Sequence, residues 1–286
     1  MRAADGVELH GVVTGPASDT TVVLVHGWTL DETCWAGVVD RLPGRRVVRY
    51  DHRGHGRSAA VDTATMTIEQ LADDLAAVIE QTAPTGSLVL AGHSMGGMTT
   101  MALAERHPSV AARVRGLALV ATAAGGLGGA PFGFPPAVVG KLREHEHALY
   151  ESARWTRKAA LSTHPRLLAP FLRPLLLGRH PSRTAVRVTT EVIAACRPTT
   201  VSGFLPTLEA HERQDALAAY AQVPVHVMAG TRDRLTPVRY ARRIREGLPQ
   251  ARLTLFPDAG HMLPLERADG VASRIAALLD APVGAH

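Results

Sequence analysis

The string Leu88-Val-Leu-Ala-Gly-His-Ser-Met-Gly-Gly97 sets Ser94 between Gly92 and Gly96 as G-x-S-x-G, after an apolar run and before a helix-forming stretch, Met95 to Arg106. A serine on so sharp a strand-to-helix turn is held in a strained backbone conformation. Only small neighbours fit where strand and helix nearly touch. Its hydroxyl then stands out at the strand's C-terminal end, above a helix N-terminus whose N–H groups and positive dipole end suit a developing oxyanion. That is equipment for nucleophilic attack on a carbonyl. The plain alternative is a serine that only caps the helix.

A serine hydroxyl is a weak nucleophile and needs a base, itself oriented by an acid. Of the fourteen histidines, His261 is best placed: Pro257-Asp-Ala-Gly-His-Met-Leu-Pro264 follows the last expected strand directly. His93 adjoins Ser94 in sequence but should face away across the turn, as a structural residue. For the acid, Asp233 lies in Gly230-Thr-Arg-Asp-Arg-Leu-Thr-Pro237, after another strand, and the chain order Ser94, Asp233, His261 fits a known strand-turn-helix arrangement of such a trio. Asp258 is the rival acid, but its three-residue offset aims a carboxylate poorly at His261. Two backbone N–H groups, of Trp28 and Met95, would hold the oxyanion, and losing one such donor typically costs about 3 kcal/mol of transition-state stabilisation. His26 reads as a brace for the Trp28 loop rather than as a second base. Trp28 and Trp35 either line an acyl pocket or pack in the core.

These residues need a sheet to bring them together. Val7 to Val13 alternates as a half-buried strand; Thr21 to Val25, Val47 to Tyr50, Ser87 to Ala91 and Leu117 to Ala121 are continuous apolar runs, the pattern of strands buried on both faces. Thr67 to Gln81 carries Ile68, Leu71, Leu75, Val78 and Ile79 on one helical face, with Thr67 as N-cap. Strand, helix, strand implies a mostly parallel, doubly wound α/β sheet with right-handed crossovers. The alternation stops after Ala123 and resumes with strands Pro224 to Ala229 and Arg252 to Phe256, followed by helices Val238 to Leu248 and Ala268 to Leu279. One core, 1–123 plus 223–286, interrupted by a helical insertion, 124–222, is the simplest organisation. Two consecutive domains would leave a C-terminal part too small to bury its own core.

Length and composition agree: 286 residues, 46% apolar and 20% charged, describe a globular chain and exclude disorder, collagen and coiled coil. The net charge of +5 and pI near 9.7 invite a nucleic-acid reading. The insertion, however, holds 12 basic against 7 acidic residues while the rest holds 19 of each, so the excess is local and no nucleic-acid partner is expected. It could favour anionic substrates or a negatively charged surface; solvated arginines on helix faces are the plainer account. Cys34 and Cys196 form no disulfide framework, and Met1 to Gly11 lacks the apolar core of a signal peptide, so a cytoplasmic protein is expected. The uncharged stretch Gly116 to Gly140 is long enough for a membrane span, but its glycines and prolines make it a buried strand followed by a loop. No metal or other cofactor is expected: His145 and His147, two apart, cannot share a ligand site on a helix.

Five motifs in order resemble the α/β-hydrolase fold superfamily: His26-Gly27-Trp28, Asp51-His-Arg-Gly-His-Gly-Arg-Ser58, Gly92-His-Ser-Met-Gly-Gly97, Gly230-Thr-Arg-Asp233 and Gly260-His261. The resemblance spans both core segments. It implies a serine hydrolase with a nucleophile elbow at Ser94, acid and base loops at Asp233 and His261, and a helical cap over the serine in the insertion. The family's epoxide-opening and halide-displacing branches carry aspartate at the nucleophile, which argues against those chemistries. The His26 to Trp35 loop is similar to the esterase and perhydrolase branch, so a small carboxylic ester with an apolar acyl group leads, with a lactone or thioester as variants of the same substrate class. A carbon–carbon bond hydrolase or cofactor-free perhydrolase on the same triad, and a slow-turnover ligand receptor of the same fold, are the alternatives. Pro131-Phe-Gly-Phe-Pro135 and Leu167 to Leu177 give the cap an apolar lid. The family's sheet begins with a strand before the Asp5-Gly6 turn, which Met1 to Ala4 is barely long enough to supply.

Overall fold

A computed structural model describes residues 1–128 and 169–281. Seven strands form one sheet in the order β1-β3-β2-β4-β5-β6-β7. They are β1 (Gly11–Thr14), β2 (Thr20–Val25), β3 (Arg46–Tyr50), β4 (Ser87–His93), β5 (Val114–Val120), β6 (Val225–Gly230) and β7 (Arg252–Phe256). Only β1 runs antiparallel, against β3; the other pairings are parallel. The strand order reverses where β2 pairs with both β3 and β4. In open α/β sheets such a switch point opens a crevice at the strands' C-terminal ends.

Alternate strand residues feed two cores. Val23, Val25, Leu88, Leu90, Leu117 and Leu119 pack with α2 (Ile68–Thr82) and α3 (Met95–Arg106). Val22, Leu24, Val89, Ala91 and Ala118 face the other side, with α1 (Ala36–Val39) and, near the C-terminus, α11 (Ala268–Leu279). This double cover is why the strands read as continuous apolar runs. Short α4 (Pro108–Ala111) precedes β5, and α9 (Val238–Gly247) follows β6. Thr67 caps α2, its side chain accepting the Gln70 N–H at 3.1 Å.

Between β5 and β6 the described residues are helical: α5 (Ala169–Leu176), α6 (Arg183–Ala195), α7 (Pro198–Gly203) and α8 (Leu205–Glu209), with α10 (Leu263–Glu266) later beneath them. The insertion is tied to the core by side chains. Arg197 Nη1 and Thr200 Oγ1 each donate to the Gly54 carbonyl at 2.7 Å, and Thr207 Oγ1 accepts the Ile68 N–H at 3.1 Å. Of the apolar lid expected from sequence, Pro131 to Pro135 and Leu167 lie outside the described residues, as do His145 and His147. Within α5, Leu176 is buried, as is the adjoining Leu177, but Phe171 is 75% exposed.

The strand expected over Val7 to Val13 is divided. Gly6, at φ 88°, turns the chain so that Leu9 and Met1 exchange N–H bonds at 2.8 Å, and Arg2 forms a single bridge with Glu8. Only Gly11–Thr14 joins the sheet. Alternation in the sequence is the same for both halves and does not reveal which partner each takes.

The loop after β3 is anchored by a buried ion pair. Arg53, fully buried, donates to both oxygens of Asp74 on α2 (2.7 and 2.6 Å) and to Asp5 (2.9 Å). Removing one partner of a buried pair strands the other's charge, so Asp74→Ala is expected to cost about 3 to 5 kcal/mol in urea denaturation. Asp5 is partly solvated, and Asp5→Ala should cost about 1 kcal/mol or less. Equal losses from the two variants would contradict the placement of the charge.

Candidate active site

β4 ends at His93 and α3 begins at Met95, so Ser94 makes the whole turn, at φ 53° and ψ −119°. Glycine is required around it. A Cβ on Gly92 would stand 2.5 Å from the Gly97 nitrogen, and one on Gly96 2.7 Å from the His26 carbonyl oxygen. The strained residue is fixed on both sides. Its N–H donates to Val120 O at 2.9 Å, and its carbonyl accepts Thr122 Oγ1 at 2.7 Å and the Gly97 N–H at 2.8 Å. Ser94 is half-buried among fully buried neighbours.

The loops after β6 and β7 bring Asp233 and His261 together, at 2.9 Å between Oδ2 and Nδ1. A carboxylate only accepts, so Nδ1 carries the proton and Nε2 is left as the acceptor side of the ring. Asp233 is nearly fully buried. Burial alone would raise its pKa, but the His261 imidazole and the bonds from His261 and Thr236 outweigh burial and hold it below the usual carboxylate range. Its Oδ1 accepts the N–H groups of Leu235 and Thr236, both at 2.9 Å, while Thr236 Oγ1 donates to Oδ2 at 2.8 Å. Thr236 was not singled out in sequence. Its signal is the Asp-x-x-Thr spacing at the entry to α9, a local side-chain-to-backbone capping pattern. Asp258 turns elsewhere: it is half-buried and pairs with Arg232 at 2.7 Å.

The loop after β2 meets the turn. A Cβ on Gly27 would stand 3.1 Å from Ser94 Cβ and 2.9 Å from His93 Nδ1, so Trp28 follows a residue pressed against the elbow. His26 braces this loop with both ring nitrogens: Nδ1–H donates to the Gly27 carbonyl at 2.8 Å, and Nε2 accepts the His52 N–H at 2.9 Å. The Gly27 carbonyl and the Trp28 N–H belong to one peptide plane, so orienting the first orients the second. Met95 is the first residue of α3, and its N–H has no carbonyl one turn earlier to bond. Trp35 is fully buried in the α1 and α11 core, not in a pocket; Trp28 is half-buried against the opposite core.

His93 faces the loop that carries His261. Its Nε2–H donates to the His261 carbonyl at 2.9 Å. Among the described residues no group of three or more His, Cys, Asp or Glu is arranged to hold a metal ion, and no described helix is long and apolar enough to cross a membrane. Cys34 and Cys196 are both buried.

A family model described as alpha/beta hydrolase fold matches residues 20–268. The chain is 32% identical over 246 residues to a pimeloyl-[acyl-carrier protein] methyl ester esterase of Chromobacterium violaceum, covering 84% of this chain and 86% of that one. Among solved structures it is similar to a thermophilic esterase from Thermogutta terrifontis, with TM-score 0.76, 27% identity and coverage of 97% and 95%. An esterase from Exiguobacterium antarcticum shares the fold, with TM-score 0.79, 21% identity and 98% of each chain covered.

Burial, followed by the neighbouring His261, lowers His93 to about 3, and burial followed by His26 does the same for His55. In the unfolded chain both titrate near 6.5. Between pH 6.5 and 3 the unfolded state therefore binds more protons, and stability falls as pH falls, by about 1.4 kcal/mol per pH unit for each imidazole. Urea denaturation from pH 7 to pH 5 should show this slope, and His93→Gln should remove one imidazole's share. An unchanged slope in that variant would count against a neutral, buried His93.

Proposed function

This chain belongs to the alpha/beta hydrolase fold family, and from that premise we propose that it is a serine hydrolase cleaving a carboxylic ester through an acyl-enzyme on Ser94. The observation that carries this reading is the buried Asp233–His261 bond at the same sheet edge as the strained Ser94 turn. Relatives named as esterases support the reaction class.

In the proposed mechanism Ser94 Oγ attacks the ester carbonyl while His261 Nε2 takes its proton. Asp233 holds the Nδ1–H tautomer and stabilises the imidazolium. The N–H groups of Trp28 and Met95 receive the oxyanion, where preorganised donors act with no reorganisation at the moment of reaction. His261 then gives its proton to the leaving alcohol, and a water, deprotonated by the same ring, releases the acid and regenerates Ser94. Residues 124–222 are assigned the part of a cap over a core of 1–123 and 223–286. The substrate is read as a small molecule with an apolar acyl group, on the strength of the apolar stretch ending in Leu176 and Leu177.

A fluorophosphonate should label the wild type and not Ser94→Ala, and turnover of a p-nitrophenyl ester should fall roughly 10⁶-fold in that variant. Asp233→Asn keeps the shape but not the tautomer and should lower kcat about 10⁴-fold. Equal labelling of wild type and Ser94→Ala sinks the proposal. Labelling at Ser94 with no ester turned over would favour a ligand receptor instead. A series of acyl chain lengths then measures the preference for an apolar acyl group.

A further inference from the structure

The segment that closes α5 sits directly on the loop that carries His261. The Leu176 carbonyl accepts the His261 N–H at 2.8 Å and the Met262 N–H at 3.3 Å, and the Arg179 N–H donates to Asp258 O at 2.9 Å. Here the two backbones touch without side chains between them. A Cβ on Gly260 would stand 2.7 Å from the Gly178 nitrogen, and one on Gly178 2.8 Å from Ala259 Cα.

One side chain spans this junction. Glu266, half-buried on α10, accepts the Gly178 N–H at Oε2 (2.7 Å) and the Gly260 N–H at Oε1 (3.0 Å). The first amide belongs to the insertion; the second belongs to the residue immediately before His261. We propose that Glu266 is a positioning residue whose carboxylate clasps the insertion to the base loop, so that the seating of the insertion sets the position of His261. This rests on the reading of His261 as the base. The carboxylate is suited to the task because both of its oxygens only accept, and each meets a backbone donor. Glutamine would turn a donor toward one of the two amides and lose that bond. From the other side, His93 fixes the His261 carbonyl. The base is thus held by its N–H to the insertion and by its carbonyl to the elbow, with Glu266 closing the link.

The test begins with wild-type protein, whose active sites are titrated with a fluorophosphonate and whose turnover of a p-nitrophenyl ester is measured per titrated site. Absence of labelling at Ser94 would overturn the serine-hydrolase reading itself. With that in place, Glu266→Gln should lower kcat per titrated site about 10- to 100-fold, the loss expected when a reacting group is displaced by an ångström or less. A residue that only stabilises the fold would reduce the number of titratable sites and leave the rate per site unchanged. Amide hydrogen exchange gives a second readout: Glu266→Gln should speed exchange at Gly178 and at Gly260 and His261 together. Wild-type kcat per site, or faster exchange on one side only, overturns the proposal. Glu266→Asp keeps the charge but is too short to span both amides, and it is held to the same outcomes if Glu266→Gln does not fold.

Discussion

The arrangement depends on three backbones meeting at one turn. β2 ends against the first turn of α3, β4 ends one residue before it, and the space between them admits no Cβ at Gly92 or Gly96 and little at Gly27. Ser94 is left with a positive φ that an L-residue adopts at a cost of order 1–3 kcal/mol. Such strain persists only where the surroundings over-determine it. Val120 and Thr122 do so from β5 and the residues after it, by holding the serine's own N–H and carbonyl. The crevice at the strand-order reversal is thus built from backbone contacts. Side chains come to it from outside.

The same burial acts on several histidines, and their partners differ. His26, His52, His55 and His93 each direct a ring N–H at a backbone carbonyl, and burial favours their neutral form. Each therefore acts as a rigid hydrogen-bonding brace. His261 differs in its partner: its Nδ1–H meets the carboxylate of Asp233. The ring proposed as the base thus differs from the braces in the acceptor it faces, not in its depth.

Some of this was legible in the sequence. α3 and α11 span the residues expected, α3 because the elbow glycines and His107-Pro108 bound it, and β7 matches because turn residues flank it. The juxtaposition of Asp233 with His261 followed from chain order and strand ends. Other features were not legible because they depend on partners distant in the chain. The division of Val7 to Val13 is decided by which strand each half meets. Trp35, one of two aromatics with the same apparent claim to a pocket, is core because it is fully buried in the cluster that α1 and α11 share, and Phe171 is apolar yet exposed. The Glu266 carboxylate bonds two backbone amides, and nothing in a residue's type announces that Gly178 lies 88 positions away and within reach.

Two of the insertion's described arginines meet the core. Arg213 ion-pairs with Glu69 on α2 and Glu105 on α3, and its backbone N–H holds Ala124 O at 2.7 Å. Beside it, His211 Nε2–H donates to Ala123 O at 3.1 Å, so the chain's exit from β5 and its return toward β6 are fastened to each other. Arg197 donates to two carbonyls, Gly54 and Ser58, in the loop after β3. These two arginines direct their charge at the core. Arg197 also holds the insertion at the loop that supplies the His52 N–H to His26, while Leu176 holds it at His261. Both halves of the proposed chemistry, the oxyanion loop through His26 and the base through its own N–H, therefore share hydrogen-bonded neighbours with the insertion. A change in its seating reaches the sheet edge by two routes, and neither requires a contact with Ser94.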